Sequence, residues 1–467
     1  MLFLILIQFT NTVNISKSVI NDVGNCSTSD GIWIQEIGNE AGKRLGGFGV
    51  SSSFATRGMQ IYDGELYVGT QSLALPNFPP ILLKLAVSSL AFIYKSLHST
   101  PFSNLIWRLV NYILPLNVIF NDGCEVWKYN QSEDKWYPII SDSSRSILPA
   151  GFGNQNNIAA SILIPFNEKL YMGTWAGSGC EIYEYDGQQF KKVVKKGFGN
   201  RFNSGAWSAK VYNEELFVGT MNWKQGCQMW KTKDGKNWEQ VPLPGGNGFG
   251  TRWSIYLWSM EIYDNSLYVG TCNVNDGAQL WKYTEGSWEK VLLPGGDGFG
   301  TSDNYGIRNI VEHDGELWIS TATNAILDSE ACEIWKYDGE TWTNIIGEEG
   351  MISDGFGDLY NKYAWSMIEA SDNSIWVGTC NLQSFSGEYP GSSKGCEIWR
   401  YDGNDWKEIV GDSEGSDLSS GFGSYLNMGA RSMIEYPENS GIIWIGTFSL
   451  DIKDFKTFAG CEIWKRI

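Results

Sequence analysis

One short pattern, Gly-Cys-Glu-Ile-Trp, constrains this chain more than anything else in it. It stands at Gly395 and again at Gly460, and variants begin at Gly123 (GCEVW), Gly179 (GCEIY), Gly226 (GCQMW), Gly277 (GAQLW) and Ala331 (ACEIW). Two further signatures keep step with it. GFG begins at Gly47, Gly151, Gly197, Gly248, Gly298, Gly355 and Gly421, and a strand-like block of the form L/I-aromatic-apolar-G/S-Thr ends at Thr70, Thr174, Thr220, Thr271, Thr321, Thr379 and Thr447. Self-similarity at a period of about fifty residues marks an array of one supersecondary unit.

Each unit reads in one order: GFG, an apolar run such as Ser366-Met367-Ile368, a turn, the Thr-ended block, a loop, the Cys-Glu-Ile-Trp segment, and a last aromatic segment such as Trp342 to Ile346. Four short segments rich in Ile, Val, Trp and Tyr, punctuated by Asp-Gly turns, predict a four-stranded antiparallel sheet. Seven such sheets predict an all-β, seven-bladed β-propeller over residues 31–467, which leaves only short, protected edges. The termini fit this scheme. The chain ends on a third-strand copy, Cys461 to Trp464, while an orphan fourth-strand copy, Trp33 to Gly38, sits near the start with its aromatic one residue early. Pairing the two would close the ring.

The segment Glu333-Ile334-Trp335-Lys336-Tyr337-Asp338-Gly339 resembles the repeat family named for its Glu-Leu-Trp and Asp-Gly-Thr signature. The turn Thr232-Lys233-Asp234-Gly235-Lys236-Asn237-Trp238 is similar to a degenerate Asp-box of sialidase-type propellers. The resemblance covers residues 31–467 apart from one insertion. It implies the fold and leaves the activity open, because propellers host many unrelated functions.

Composition narrows the partners. A formal charge of −18 speaks against nucleic acid, whose binding needs a clustered basic face. Six of the nine cysteines repeat at one third-strand position (Cys124, Cys180, Cys227, Cys332, Cys396, Cys461), which reads as a small buried residue. Cys380 ends the strand beside Cys396, so those two could bridge within one blade. Residues 1–30 form an N-terminal segment whose apolar run, Leu2 to Ile7, resembles a signal peptide without a basic region. Sequons at Asn14, Asn25 and Asn130 are compatible with export. The expectation is a secreted or surface protein.

In a propeller, the second-to-third and fourth-to-first strand loops share one face. Here that face carries GFG and every long loop, so function is sought there. An insertion at residues 71–122 dominates it. No Asp or Glu occurs between Leu66 and Asn121, and two apolar stretches, 81–97 and 105–120, flank His98-Ser99-Thr100-Pro101. It reads as a hydrophobic helical hairpin, too short and charge-interrupted to span a bilayer. Membrane or partner contact through Leu82, Leu85, Phe92, Trp107 and Ile113 is the leading expectation, and a lid packed on its own propeller is the alternative.

Ten residues after the first glycine of each GFG stand Arg57, Ser161, Trp207, Trp258, Arg308, Trp365 and Arg431. Innermost strands begin near here, so these side chains are placed at the channel mouth, with the arginines on one side and Trp207 and Trp258 opposite. Three guanidiniums converging there would hold a carboxylate or phosphate bidentately, and indole faces suit sugars or cations. The competing assignment pairs the arginines with third-strand carboxylates such as Glu125, Glu333 or Glu462.

Catalytic signatures are missing. His98 and His313 are the only histidines, which excludes a His metal cluster or a Ser-His triad. No P-loop, dinucleotide fingerprint or CxxC occurs, so no metal and no cofactor is expected. The leading functional reading is a non-enzymatic recognition protein for a glycan or small anionic ligand. A glycosidase or lyase of Asp-box type and a structural interaction scaffold are the alternatives. Arginines satisfied by third-strand glutamates would mark the scaffold.

Overall fold

A computed structural model describes residues 31–38, 44–72, 122–324, 330–383, 394–450 and 460–467. The described chain is all-β, with 28 strands interrupted only by short 3-10 turns. The strands pair antiparallel in fours, in the order the repeat predicts. In the sixth unit, Asn361–Glu369, Ile375–Asn381, Ile398–Tyr401 and Trp406–Val410 lie side by side, with Met367 opposite Val377, Val377 opposite Trp399, and Trp399 opposite Glu408. The outermost turn is tied by Asp402, whose Oδ1 accepts the N–H groups of Asn404 and Asp405 at 2.9 and 3.0 Å. This is the local Asx geometry that favours Asp at a turn.

Closure is achieved twice. Trp33–Ile37 pairs antiparallel with Ile463–Arg466, so the first described strand completes the last unit. Trp33 faces Arg466 three residues after Ile463, as Trp406 faces Tyr401 three after Ile398; the one-residue offset seen in the sequence is absent from the register. Nearer the axis, the end of each second strand bridges to the first strand of the next unit. Gln71 meets Ala159, Trp175 meets Gly205, and so on round to Phe448 with Ala55. The inner two strands of the units thereby form a closed antiparallel barrel of propeller-like character.

The two main signatures of the sequence are one interlock. In each GFG the first glycine sits at φ near +60°, as in Gly421 (φ 63°), and its N–H donates to the carbonyl of the preceding unit's repeated Cys or Ala (Gly421 to Cys396, 2.7 Å). A Cβ there would lie 3.0 Å from the Cα of Gly395, the glycine of the GCEIW copy, so the two glycines pack back to back. The following phenylalanine also adopts a left-handed conformation and stacks on its own unit's third-strand aromatic. Phe249 lies 4.3 Å from Trp281, and Phe152 lies 4.4 Å from Tyr183. A positive φ is costly for a bulky residue, and the stack offsets that cost.

The repeated polar residues hold this joint. Asn361 Nδ2 donates to the Gly355 carbonyl at 2.9 Å and to Glu397 at 2.8 Å, while Glu397 also accepts Trp399 Nε1 at 2.9 Å. The third-strand glutamates are structural. All eight described cysteines are buried free thiols, and the pair Cys380 and Cys396 does not bridge. Burial pushes the Cys180 thiol up to about 12, which leaves it inert as a nucleophile.

Residues 1–30 and 73–121 lie outside the described residues, and with them the signal-like segment and the part of the insertion expected to form a helical hairpin with Leu82, Leu85, Phe92, Trp107 and Ile113. Among the described residues, no helix is long and apolar enough to cross a membrane.

Candidate functional site: an arginine–tryptophan layer on the first strands

Each first strand slips register against its own second strand at one shared repeat position, and all but the third unit's also slip three residues earlier. The shared slip falls between Ala206 and Ser208, Leu257 and Ser259, Ile307 and Asn309, Ala364 and Ser366, Ala430 and Ser432, Ala160 and Ile162, and Thr56 and Met59. The residues left unpaired are Trp207, Trp258, Arg308, Trp365, Arg431, Ser161 and, with Gly58 beside it, Arg57. A β-bulge strands one residue and re-aims its side chain. Here the bulges recur once per unit at the repeat position ten residues after the first glycine of GFG.

The residue after the bulge fastens the ring. Ser208, Ser259 and Ser366 donate to the bulge carbonyls of the next units, Leu257, Ile307 and Ala430, at 2.7, 3.0 and 2.9 Å. Asn309 Nδ2 does the same to Ala364 at 2.9 Å, and Ser432 donates to Thr56 Oγ1 at 2.7 Å. Sequence reasoning passed over this column, although its Ser/Asn character was legible eleven residues after each GFG glycine from the third unit onward.

The sequence placed Trp207 and Trp258 opposite the arginines. The structure instead brings them together in pairs. Arg57 lies 4.1 Å over the ring of Trp207, Arg431 4.3 Å over Trp365, and Arg308 5.5 Å over Trp258. Ser161 is small, and Arg57 reaches past its unit to the third. A chain of ring contacts continues round the axis: Trp207 with Tyr256 at 4.6 Å, Tyr256 with Trp258 at 5.4 Å, Trp258 with Tyr305 at 5.8 Å, and Trp365 with Phe448 at 5.1 Å. These residues belong to one buried apolar cluster that spans the centre of the molecule.

The Nε atoms of Arg57, Arg308 and Arg431 are buried without a hydrogen-bond partner among the described residues. Burial pushes Arg431 down to about 9, and no carboxylate offsets it. Arg308 is pushed down to about 10, again by burial, with only the Tyr305 and Tyr363 hydroxyls and Cys380 nearby to raise it. Those two hydroxyls bond each other at 2.7 Å. The third-strand carboxylates are engaged elsewhere. Glu125 accepts Ser141 and Trp127, Glu333 accepts Asn304 and Trp335, and Glu462 accepts Asn427 and Trp464. The assignment of the arginines to those glutamates is therefore overturned.

Among the described residues, no group of His, Cys, Asp and Glu could hold a metal ion. His313 is buried in a first-to-second strand turn against Glu369, 3.0 Å away, far from GFG in its unit. The long loops at residues 325–329, 384–393 and 451–459 lie outside the described residues.

No protein-family model matches the chain, and no curated protein matches it. Solved structures of similar shape are distant. The extracellular domain of a protein described as a hybrid two-component system of B. thetaiotaomicron is 13% identical with a TM-score of 0.47, covering 88% of this chain and 38% of its own. The β-propeller domain of the Trilobed protease from Pyrococcus furiosus is 8% identical, TM-score 0.41, over 89% of this chain and 94% of that one. A lectin solved with alpha methyl fucoside is 13% identical, TM-score 0.34, over 62% and 87%. This chain thus spans well under two thirds of the first of these. Likenesses with TM-scores this low carry nothing about ligand or activity.

Proposed function

We propose that the chain is a seven-bladed β-propeller that recognises an anionic group, held in its channel by Arg57, Arg308 and Arg431 against the rings of Trp207, Trp258 and Trp365. The observation that carries this reading is the set of three buried guanidinium Nε atoms with no partner among the described residues. A buried guanidinium N–H left without an acceptor costs about 1–3 kcal/mol. A carboxylate, sulfate or phosphate oxygen pair fits the planar guanidinium fork and supplies the missing acceptor. Glycoside cleavage needs two carboxylates flanking the bond. The described part of the layer offers cations, hydroxyls and rings instead, which favours recognition over hydrolysis.

In this reading residues 1–30 direct the chain outside the cell. The insertion at 71–122 holds the propeller against a membrane or a partner protein. The test of the site is calorimetric titration with sulfate and with glucuronate. Arg308→Ala combined with Arg431→Ala is expected to lower affinity at least tenfold while leaving the thermal midpoint near that of the parent chain. Unchanged affinity, or loss of the fold, would return the arginines to structure.

A further inference from the structure

Blades three and four differ from the others where their loops turn outward. Four and five residues after the first GFG glycine, the third unit carries Arg201-Phe202 and the fourth Arg252-Trp253, whereas the first has Ser51-Ser52, the second Gln155-Asn156 and the fifth Ser302-Asp303. The adjoining second-to-third strand corner of the third unit is Trp223-Lys224. Three cation–aromatic dipeptides thus meet on one sector of the loop face. The Asn222 N–H donates to the Ile255 carbonyl at 2.9 Å, which sets the Trp223 corner beside the Arg252 corner.

The geometry interleaves charge and ring. Arg201 and Lys224 lie 5.0 and 4.2 Å over Phe202, and Arg252 lies 4.5 Å over Trp253. Trp223 is 41% exposed, and its ring contacts that of Tyr256 at 5.8 Å; Tyr256 in turn stacks on Trp207, which carries Arg57. A continuous path of ring contacts therefore leads from an exposed indole to the arginine layer. In the corners 199–204, 222–225, 250–253 and 273–276, Asp276 is the only acidic residue, in a chain of net charge −18.

We infer that this sector is a recognition ramp for an acidic oligosaccharide, with sugar rings on Trp223 and carboxylates on Arg201, Lys224 and Arg252, and one end unit directed towards the layer. The inference deepens the proposed function and rests on it for that end unit alone. Sugar C–H faces stack on indole, and cations spaced by rings match a chain with one charge per ring. A nucleic acid strand carries a phosphate about every 3.4 Å, and three cations on a strongly acidic protein do not meet that density.

The experiment titrates the full chain with galacturonate, tetragalacturonate and neutral maltotetraose. The tetramer is expected to bind at least tenfold tighter than the monomer, and maltotetraose not at all. Trp223→Ala with Lys224→Ala should erase the tetramer's advantage and keep the monomer's affinity, while Arg308→Ala with Arg431→Ala should weaken both. Arg201→Ala with Arg252→Ala provides an independent loss at exposed positions, and circular dichroism checks that both surface variants fold. A tetramer no tighter than the monomer, or an advantage that survives both surface variants, overturns the ramp. A ramp-dependent tetramer with no monomer binding and no effect of the layer variant overturns the channel site and leaves the ramp standing. Tighter binding of oligothymidylate or of phosphatidylserine vesicles than of tetragalacturonate also overturns the inference.

Discussion

At the scale of single residues, one repeat column is structural and another carries the proposed anion site. The third-strand acid is the structural case. Glu397 is 3% exposed, and burial pushes it up to about 7, against the hydrogen bonds from Trp399 and Asn361. A carboxyl whose folded value lies above its unfolded one contributes stability that is complete below the unfolded value and is lost as pH rises through about 7. Units three and four already carry Gln228 and Gln279 there, and Gln279 Nε2 donates to Asp297 at 2.8 Å. Glu397→Gln, with Glu408 nearby to accept its amide, is expected to match the parent near pH 4.5 and to exceed it by at most about 3 kcal/mol at pH 8. Denaturant unfolding at both pH values checks this; parallel stability curves would show that Glu397 is not the titrating group. The arginine column was legible by its spacing from GFG. Its tryptophan partners were not, because Arg57 reaches past Ser161 into the third unit, and no local pattern encodes that reach.

At the scale of elements, the sequence predicted the four strands of each unit and their order, because each strand carries its own aromatic and β-branched signature between turn residues. The bulge was invisible. It adds one residue without changing residue types, and Trp207 or Arg431 in a strand reads as ordinary alternation until the register is seen. The GFG turn was recognised only as punctuation, whereas it is the contact between units. Gly421→Ala would put a Cβ 3.2 Å from the Asn427 carbonyl and 3.0 Å from Gly395 at φ 63°. The expected loss is roughly 2 kcal/mol or more, since strain at positive φ and a backbone clash add. A fall in the thermal midpoint of several degrees is the readout, and an unchanged midpoint would mean that the inter-unit joint is slack.

At the scale of the whole molecule, ring closure was legible in the orphan fourth-strand copy at Trp33 and the last unit's missing fourth strand, and the pairing of Trp33–Ile37 with Ile463–Arg466 bears it out. The composition shift between residues 71 and 122 was equally visible, and what it contacts belongs to the proposal. Deleting residues 75–120 removes no described strand. The deleted chain is expected to fold with a similar midpoint and to lose flotation with lipid vesicles that the intact chain shows. Aggregation or a collapsed midpoint would make the insertion part of the core, and flotation by neither protein would exclude lipid as its partner.

The central claim is that three bulge-borne arginines hold an anion at the axis. Its most direct measurement is a crystal of the full chain soaked in selenate, with the anomalous signal of selenium marking the anion. The account predicts a selenium peak placed so that the selenate oxygens lie within hydrogen-bonding reach of the Nε atoms of Arg57, Arg308 and Arg431. Guanidiniums bridged by a carboxylate from residues 384–393 or 451–459, with selenate absent from the channel, would contradict it.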